Sequence, residues 1–224
     1  MKFTKLLGFL GLIGAILVGI GEFYLHYSPQ VLTATGDFQF FEFVPLKHLK
    51  VGHFLSVMGL PFYFAGYLHI YKMLKSGNEI LARIVLTLGF IAFAVGGIWI
   101  GSRGYIGSLV HLKQEIPAET YSKVIANYQS FLEVLVQVLR VVILLLSVAF
   151  AWAILKGGTF YQKHMAFFNP ITVLIMFVFI GMAMPEIGKY VLPILMNITH
   201  VVIFSLSLFQ LSKYQISTQQ TPSK

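Results

Sequence analysis

The chain has 224 residues, 57% of them hydrophobic and only 11% charged. A soluble domain carries roughly 25% charged residues, and a chain this short could not cover so much apolar surface in water, so the composition excludes an ordinary soluble domain and fits one helical bundle in lipid. The net charge of +8 does not indicate nucleic acid, because Lys and Arg are scattered at the ends of apolar runs with no basic stripe; such charges set membrane orientation and meet anionic headgroups.

Six apolar segments are expected to cross the membrane. The first runs from about Leu6 to Leu25, behind Lys2 and Lys5. A signal peptide is disfavoured, since the stretch is long, lacks an A-x-A site, and continues its helical pattern through Glu22 and His26. Gly11, Ala15 and Gly19 recur every fourth residue, which lets another helix approach closely in lipid. The loop from Tyr27 to Lys50 holds Pro29, Gly36 and the rings of Phe38, Phe40, Phe41 and Phe43, expected at headgroup level rather than over a ligand. Segment 2 is Val51–Leu74, with Pro61 expected to kink it. Segment 3 is Ile84 to about Ile100, ending in a glycine-rich stretch through Gly107. Residues 111–127 are polar, contain Pro117, and read as a loop or short surface helix. Segment 4 is about Tyr128–Leu155, stopped by Gly157 and Gly158. Segment 5, about Ile171–Met184, is the shortest, and could begin at Met165 despite Asn169-Pro170. Segment 6 is about Ile187–Leu211 with Pro193 near its start. The fold expected is therefore an all-α polytopic bundle over residues 1–211, followed by a polar, mobile tail over 212–224.

Orientation follows from Lys and Arg. With the N-terminus inside, Lys2, Lys5, Lys72, Lys75, Arg83, Lys156, Lys163, Lys213 and Lys224 face the cytoplasm. Lys47, Lys50, Arg103, Lys113, Lys123 and Lys189 face out. This places both termini in the cytoplasm.

Ionisable groups inside spans cost about 2.5–3.5 kcal/mol each on insertion scales and usually face the bundle interior. Glu22, His53, Arg103 and Glu133 all fall in the outer half of their segments, and Arg140, Asn197 and His200 lie deeper. Convergence on one outward-opening pocket is the expectation. Glu133, Gln137 and Arg140 share one helix face at i, i+4, i+7; they could form a structural network or line that pocket. In the pocket reading Arg103 and Arg140 hold an anionic group, with Gln137 and Asn197 beside it as further ligand contacts. Glu22 and Glu133 are the candidate acid/base groups, and His53 and His200 carry protons. Glu22, His26, His53 and His200 could supply metal ligands, but no H-E-x-x-H spacing exists and no metal is assigned. His69 and His164 read as residues near the inner surface. With no cysteine there is no thiolate chemistry or disulfide. No P-loop, G-x-S-x-G or dinucleotide fingerprint is present, and Gly8, Gly11 and Gly14 form a helix-packing series.

Gly21-Glu22 at the end of the first span, Gly59-Leu60-Pro61 followed by Phe64 to Tyr71, Gly96-Gly97 with Arg103-Gly104-Tyr105, and Asn197 in the last span form a pattern over most of the chain. In these residues the chain resembles an uncharacterised family of bacterial multi-pass membrane proteins, a domain of unknown function. Relatives there usually carry Gly-Asp where this chain has Gly21-Glu22. The resemblance implies a bacterial inner-membrane protein, highlights Glu22, His69, Arg103 and Asn197, and supplies no activity or cofactor. Three functions stay open: binding or transforming a lipid or small amphiphile, carrying a small molecule or protons, and a structural subunit with polar groups as helix glue. Membrane lipids are the expected partners.

Overall fold

Short local signals set where the helices start and stop. The Asn78 side chain accepts from the Leu81 amide at 2.9 Å and caps one helix, and Asn169 does the same for Thr172 at 3.1 Å, with Pro170 in the first helical position. Gly157 and Gly158, at φ of +85° and +73°, end the longest helix.

The computed structural model describes residues 1–28, 30 and 38–219. Among them are seven α-helices: α1 Lys2–His26, α2 Leu46–Leu74, α3 Glu79–His111, α4 Ala118–Lys156, α5 Pro170–Ala183, α6 Pro185–Val191 and α7 Leu195–Gln219. Five stretches are long and apolar enough to cross a membrane: α1, α2, α3, α4 and the run Pro185–Ile216 through α6 and α7. The all-helical bundle is as expected, with changes in detail. α5 has 14 residues, a rise of about 21 Å against a hydrocarbon core of about 30 Å. It follows a 3-10 helix, Lys163–Phe168, and the summed rise of the two pieces is about 33 Å. The expected segment 5 is thus a short apolar helix preceded by a 3-10 turn, with the break at Asn169-Pro170. The last crossing is also interrupted, by a 3-10 turn at Leu192–Ile194 around Pro193.

Other boundaries moved. Residues 118–127 belong to α4 rather than to a loop, because Pro117 sits just before the first turn, where proline suits a helix start. α2 continues through Pro61. α7 extends to Gln219, through much of the expected tail; residues 220–224 lie outside the described residues, as do Pro29 and Gly36.

α1 and α2 pack antiparallel along a seam of small residues. A Cβ on Gly11 would lie 2.4 Å from the Gly66 Cα, and one on Gly21 would lie 2.8 Å from the Gly52 carbonyl oxygen. Gly8 and Gly14 also face α2, at His69 and Phe62. Gly19, expected on the same face as Gly11, instead meets Asn197 of α7 at 3.2 Å. One helix therefore uses two glycine rows for two neighbours.

Gly11→Ala is expected to lower the melting temperature of the purified protein in detergent, by the equivalent of about 1–3 kcal/mol of overpacking. Gly101→Ala, where an added Cβ meets nothing within 4 Å, should be neutral or mildly stabilising, since Ala is the better helix former. Equal behaviour of the two variants would show that the seam is not close-packed.

Candidate functional site

The polar groups of the interior are arranged along one face of α7, where Asn197, His200, Phe204 and Ser207 recur at helical spacing. They form three layers. In the layer nearest Arg103, the Asn197 amide donates to a Glu22 carboxylate oxygen, and the Tyr63 hydroxyl donates to the Asn197 carbonyl oxygen at 2.6 Å. Gly19 allows this, since it lies one turn before Glu22 and lets α7 approach at Asn197. One turn beyond Glu22, the Arg103 Nε donates to His26 Nε2 at 3.0 Å.

In the middle layer Tyr67 and His200 bond at 2.9 Å. The Tyr67 ring lies over Gly89, where a Cβ would fall 2.1 Å from it. Tyr63 stacks on Phe93 at 3.8 Å and meets the His200 ring edge-on. In the third layer, toward the Lys2 end, Ser207 bonds both His69 and Tyr161 at 2.6 Å.

The three buried histidines share one tautomer, and the bonds dictate it. Each Nδ1 faces a backbone carbonyl, which can only accept: Glu22 for His26 at 3.0 Å, Thr4 for His69 at 2.7 Å, and Met196 for His200 at 2.8 Å. Each Nδ1 therefore carries the proton. Each Nε2 is left to accept, from Arg103, Ser207 and Tyr67 respectively. The Arg103 donor makes the His26 ring neutral, and all three rings are engaged at both nitrogens.

Arg103 is 7% exposed. Its guanidinium carbon lies 4.9 Å from the Phe41 ring centre, with Trp99, Phe38 and Phe40 at 5.3–5.5 Å. Of that group only Phe43 is exposed; Phe38 and Phe41 are buried and Phe40 half-buried, packed around the guanidinium rather than facing outward. They belong to a strap, Gln39–Phe43, tied to the bundle by His111 donating to the Val44 carbonyl and by the Lys113–Glu42 ion pair. The Glu42 carboxylate raises the pKa of the Lys113 ammonium above its ordinary value.

Beside the first two layers lies a cavity of about 460 Å³ between α3, α4, α5 and α7. Its walls are largely apolar, with Leu60, Phe93, Leu139, Ile143 and Leu174 among them. Glu22, Asn197 and His200 supply polar groups on one side, and Arg140 another from α4.

The expected convergence is therefore partial. Glu22, Asn197, His200 and Arg140 line one cavity, whereas Arg103 is drawn into its aromatic cage. Glu133 and Gln137 are exposed, and Glu133 accepts only from Gln129, at 3.5 Å, one turn away on its own helix. Gln137 lies at the level of the cavity, between Val136 and Leu139 which line it, but is not itself among the lining residues. The pairing of Glu133 with Arg103 or Glu22 does not form. His53 packs on Gly104 and Tyr105, with Nδ1 buried and unpartnered. His69 is fully buried and hydrogen-bonded at both ring nitrogens, at the Lys2 end of the bundle. Glu22, His26, His53 and His200 do not assemble as metal ligands, and among the described residues no three His, Asp or Glu side chains do so. Sequence reasoning passed over Tyr63, Tyr67, Tyr161 and Ser207. The two tyrosines at i, i+4 within an apolar span were the available signal.

A model of the family of unknown function DUF6796 matches residues 1–214. The chain belongs to that family. No curated protein and no solved structure matches it. Of the four positions singled out by the sequence pattern, Glu22, Arg103 and Asn197 join one DUF6796 polar network and His69 holds the other end of the bundle.

Asn197→Leu should destabilise the protein by about 3 kcal/mol, because it strands the Glu22 carboxylate and the Tyr63 hydroxyl. Tyr63→Phe removes one bond and should cost about 1 kcal/mol. Thermal unfolding in detergent reads both, and a smaller loss for Asn197→Leu than for Tyr63→Phe would contradict the network. Nitrogen NMR of labelled histidine should find His26, His69 and His200 protonated at Nδ1; a protonated Nε2 on any of them breaks the assignment for that layer.

Proposed function

We propose that this protein sits in a bacterial inner membrane and binds a lipid or small amphiphile within its bundle. The polar head lies beside Glu22, Asn197 and Arg140, and the apolar part lies along Leu139, Ile143 and Leu174. The cavity carries this reading. Its volume of about 460 Å³ falls in the ordinary range of roughly 300–1,000 Å³ for small-molecule sites. Its pattern of apolar walls with a few polar groups suits an amphiphile better than a polar solute. The basic groups Lys2, Lys5, Lys72, Lys75, Arg83, Lys156, Lys163 and Lys213 belong to one end of the bundle, which supports placing that end in the cytoplasm.

A carrier would need a wet route past His200. Below His200 the α7 face presents Phe204, which is fully buried and packs on Gly66 and Gly11. Phe150 and Met165 are also buried, at 2% or less. This packing favours a one-ended pocket. Acid/base work is less well supported than binding, because both His200 nitrogens are occupied and His53 and Glu133 stand away from the cavity.

Gly96 offers a direct test. It lines the cavity, and an added Cβ meets nothing within 4 Å. Gly96→Phe is expected to fold normally, fill the cavity, and remove any amphiphile that co-purifies, as read by mass spectrometry of the extract. Gly101→Phe, at a position where an added Cβ likewise meets nothing within 4 Å but outside the cavity lining, should keep it. Retention of the same amphiphile by folded Gly96→Phe protein would place the ligand elsewhere and overturn the reading.

A further inference from the structure

Among the described residues, Arg140 stands apart from the other ionisable groups on the cavity wall. Glu22 is matched by Asn197 and lies one turn from the Arg103–His26 pair. His200 is bonded at both nitrogens, and Tyr67 is its donor. Arg140 lines the cavity from α4 and is itself exposed, so it stands at the cavity's open side, with no hydrogen bond, ion pair or ring contact to another described residue. It lies 16 residues before the end of α4 at Lys156, about 24 Å along the helix and so within a hydrocarbon core of about 30 Å. A guanidinium within the hydrocarbon region is costly unless its charge reaches the interface or meets something of opposite charge, and no carboxylate among the described residues pairs with it.

We infer that the amphiphile held in this cavity has an anionic head, a phosphodiester or a carboxylate, and that the Arg140 guanidinium is its anchor. The inference rests on the binding reading above. A guanidinium offers paired N–H donors in one plane, which matches two oxygens of either head. Arg103, the other guanidinium in the interior, is closed off by four rings and its bond to His26. A cationic head is disfavoured because Glu22, the acidic group on the wall, already has its donor.

The two tryptophans provide the test, since Trp99 lines the cavity and Trp152 is 54% exposed on the bundle's outer face. Trp152→Phe leaves Trp99 as the reporter of the cavity, and Trp99→Phe leaves Trp152 as the reporter of the surrounding lipid. Each variant is placed in phosphatidylcholine vesicles containing brominated phosphatidylglycerol, brominated phosphatidylcholine or a brominated fatty acid, and fluorescence quenching is titrated. Trp99 should be quenched saturably at about tenfold lower fractions of an anionic amphiphile than of the zwitterionic one, a preference of about 1.4 kcal/mol. Phosphatidylglycerol acting before the fatty acid assigns the head to a phosphodiester, and the reverse order assigns it to a carboxylate. Arg140→Gln should erase the preference and Arg140→Lys should keep part of it, while Trp152 responds alike to all three. Saturable quenching of Trp99 with no headgroup preference, or a preference untouched by Arg140→Gln, overturns the anionic anchor and leaves amphiphile binding standing. Quenching of Trp99 that merely follows that of Trp152 removes both.

Discussion

The architecture depends on how closely α1 can approach its neighbours. In lipid there is little hydrophobic gain from bringing two apolar helices together, so association relies on packing and on bonds between polar groups. Gly11 against Gly66 and Gly21 against Gly52 bring the α1 and α2 backbones into contact. Gly19 lets the Asn197 side chain of α7 approach α1, with a Cβ there falling 3.2 Å from the Asn197 Cβ. With any larger side chain at Gly19, Asn197 would be pushed away from Glu22. The glycines therefore hold the helices at a distance where short polar side chains can pair, and the polar network exists because the apolar seam is tight.

Once the helices are that close, the polar groups have few choices. Lipid offers no water to an unmatched donor or acceptor, so each must find a partner inside the bundle. The three histidines solve this in the same way, giving Nδ1–H to a carbonyl and accepting at Nε2. For His26 and His200 the carbonyl lies one turn back in the same helix, at Glu22 and Met196. For His69 it belongs to Thr4 at the start of α1, so that bond also fixes the end of the seam. Arg103 is different, since a cation cannot be satisfied by one imidazole. The strap of Phe38, Phe40 and Phe41 adds ring faces around it, and Phe38 adopts φ of +60°, an unfavourable region for a bulky residue. That strain is a reason to regard the strap as held in place by Arg103 rather than by its own preference.

The sequence made the bundle legible because lipid demands long apolar runs, and four of the six expected crossings are single continuous helices. The two Pro-containing crossings near the C-terminus were harder to delimit. Asn169-Pro170 and Pro193 mark breaks whose neighbouring 3-10 turns leave no periodic trace. At the site, Glu22, Asn197, His200 and Arg140 were visible as polar residues within apolar segments. Which of them share a cavity was not, because the spacing along one helix does not say which neighbours its faces meet. Glu133 and Gln137 follow the same spacing as Arg140, yet both are exposed and neither lines the cavity, although Val136 and Leu139 beside them do. Arg103 was misplaced because the aromatic run that cages it is distant in sequence and looks like an interfacial belt.

The separation of the layers along α7 bears on what the interior can do. His200 and Ser207 are seven residues apart, about 10 Å along the helix, too far for a hydrogen bond. Phe204 fills the interval, wedged where Gly11 and Gly66 leave room for its ring. The glycine seam that draws α1 and α2 together thus also creates the socket that seats the barrier between the layers. A proton or solute leaving the cavity toward the Lys2 end would have to displace this ring, which is seated against the close contact of Gly11 with Gly66. The seam, the network and the closed floor of the cavity are one structural device, and the cavity's open side is the one lined by α4.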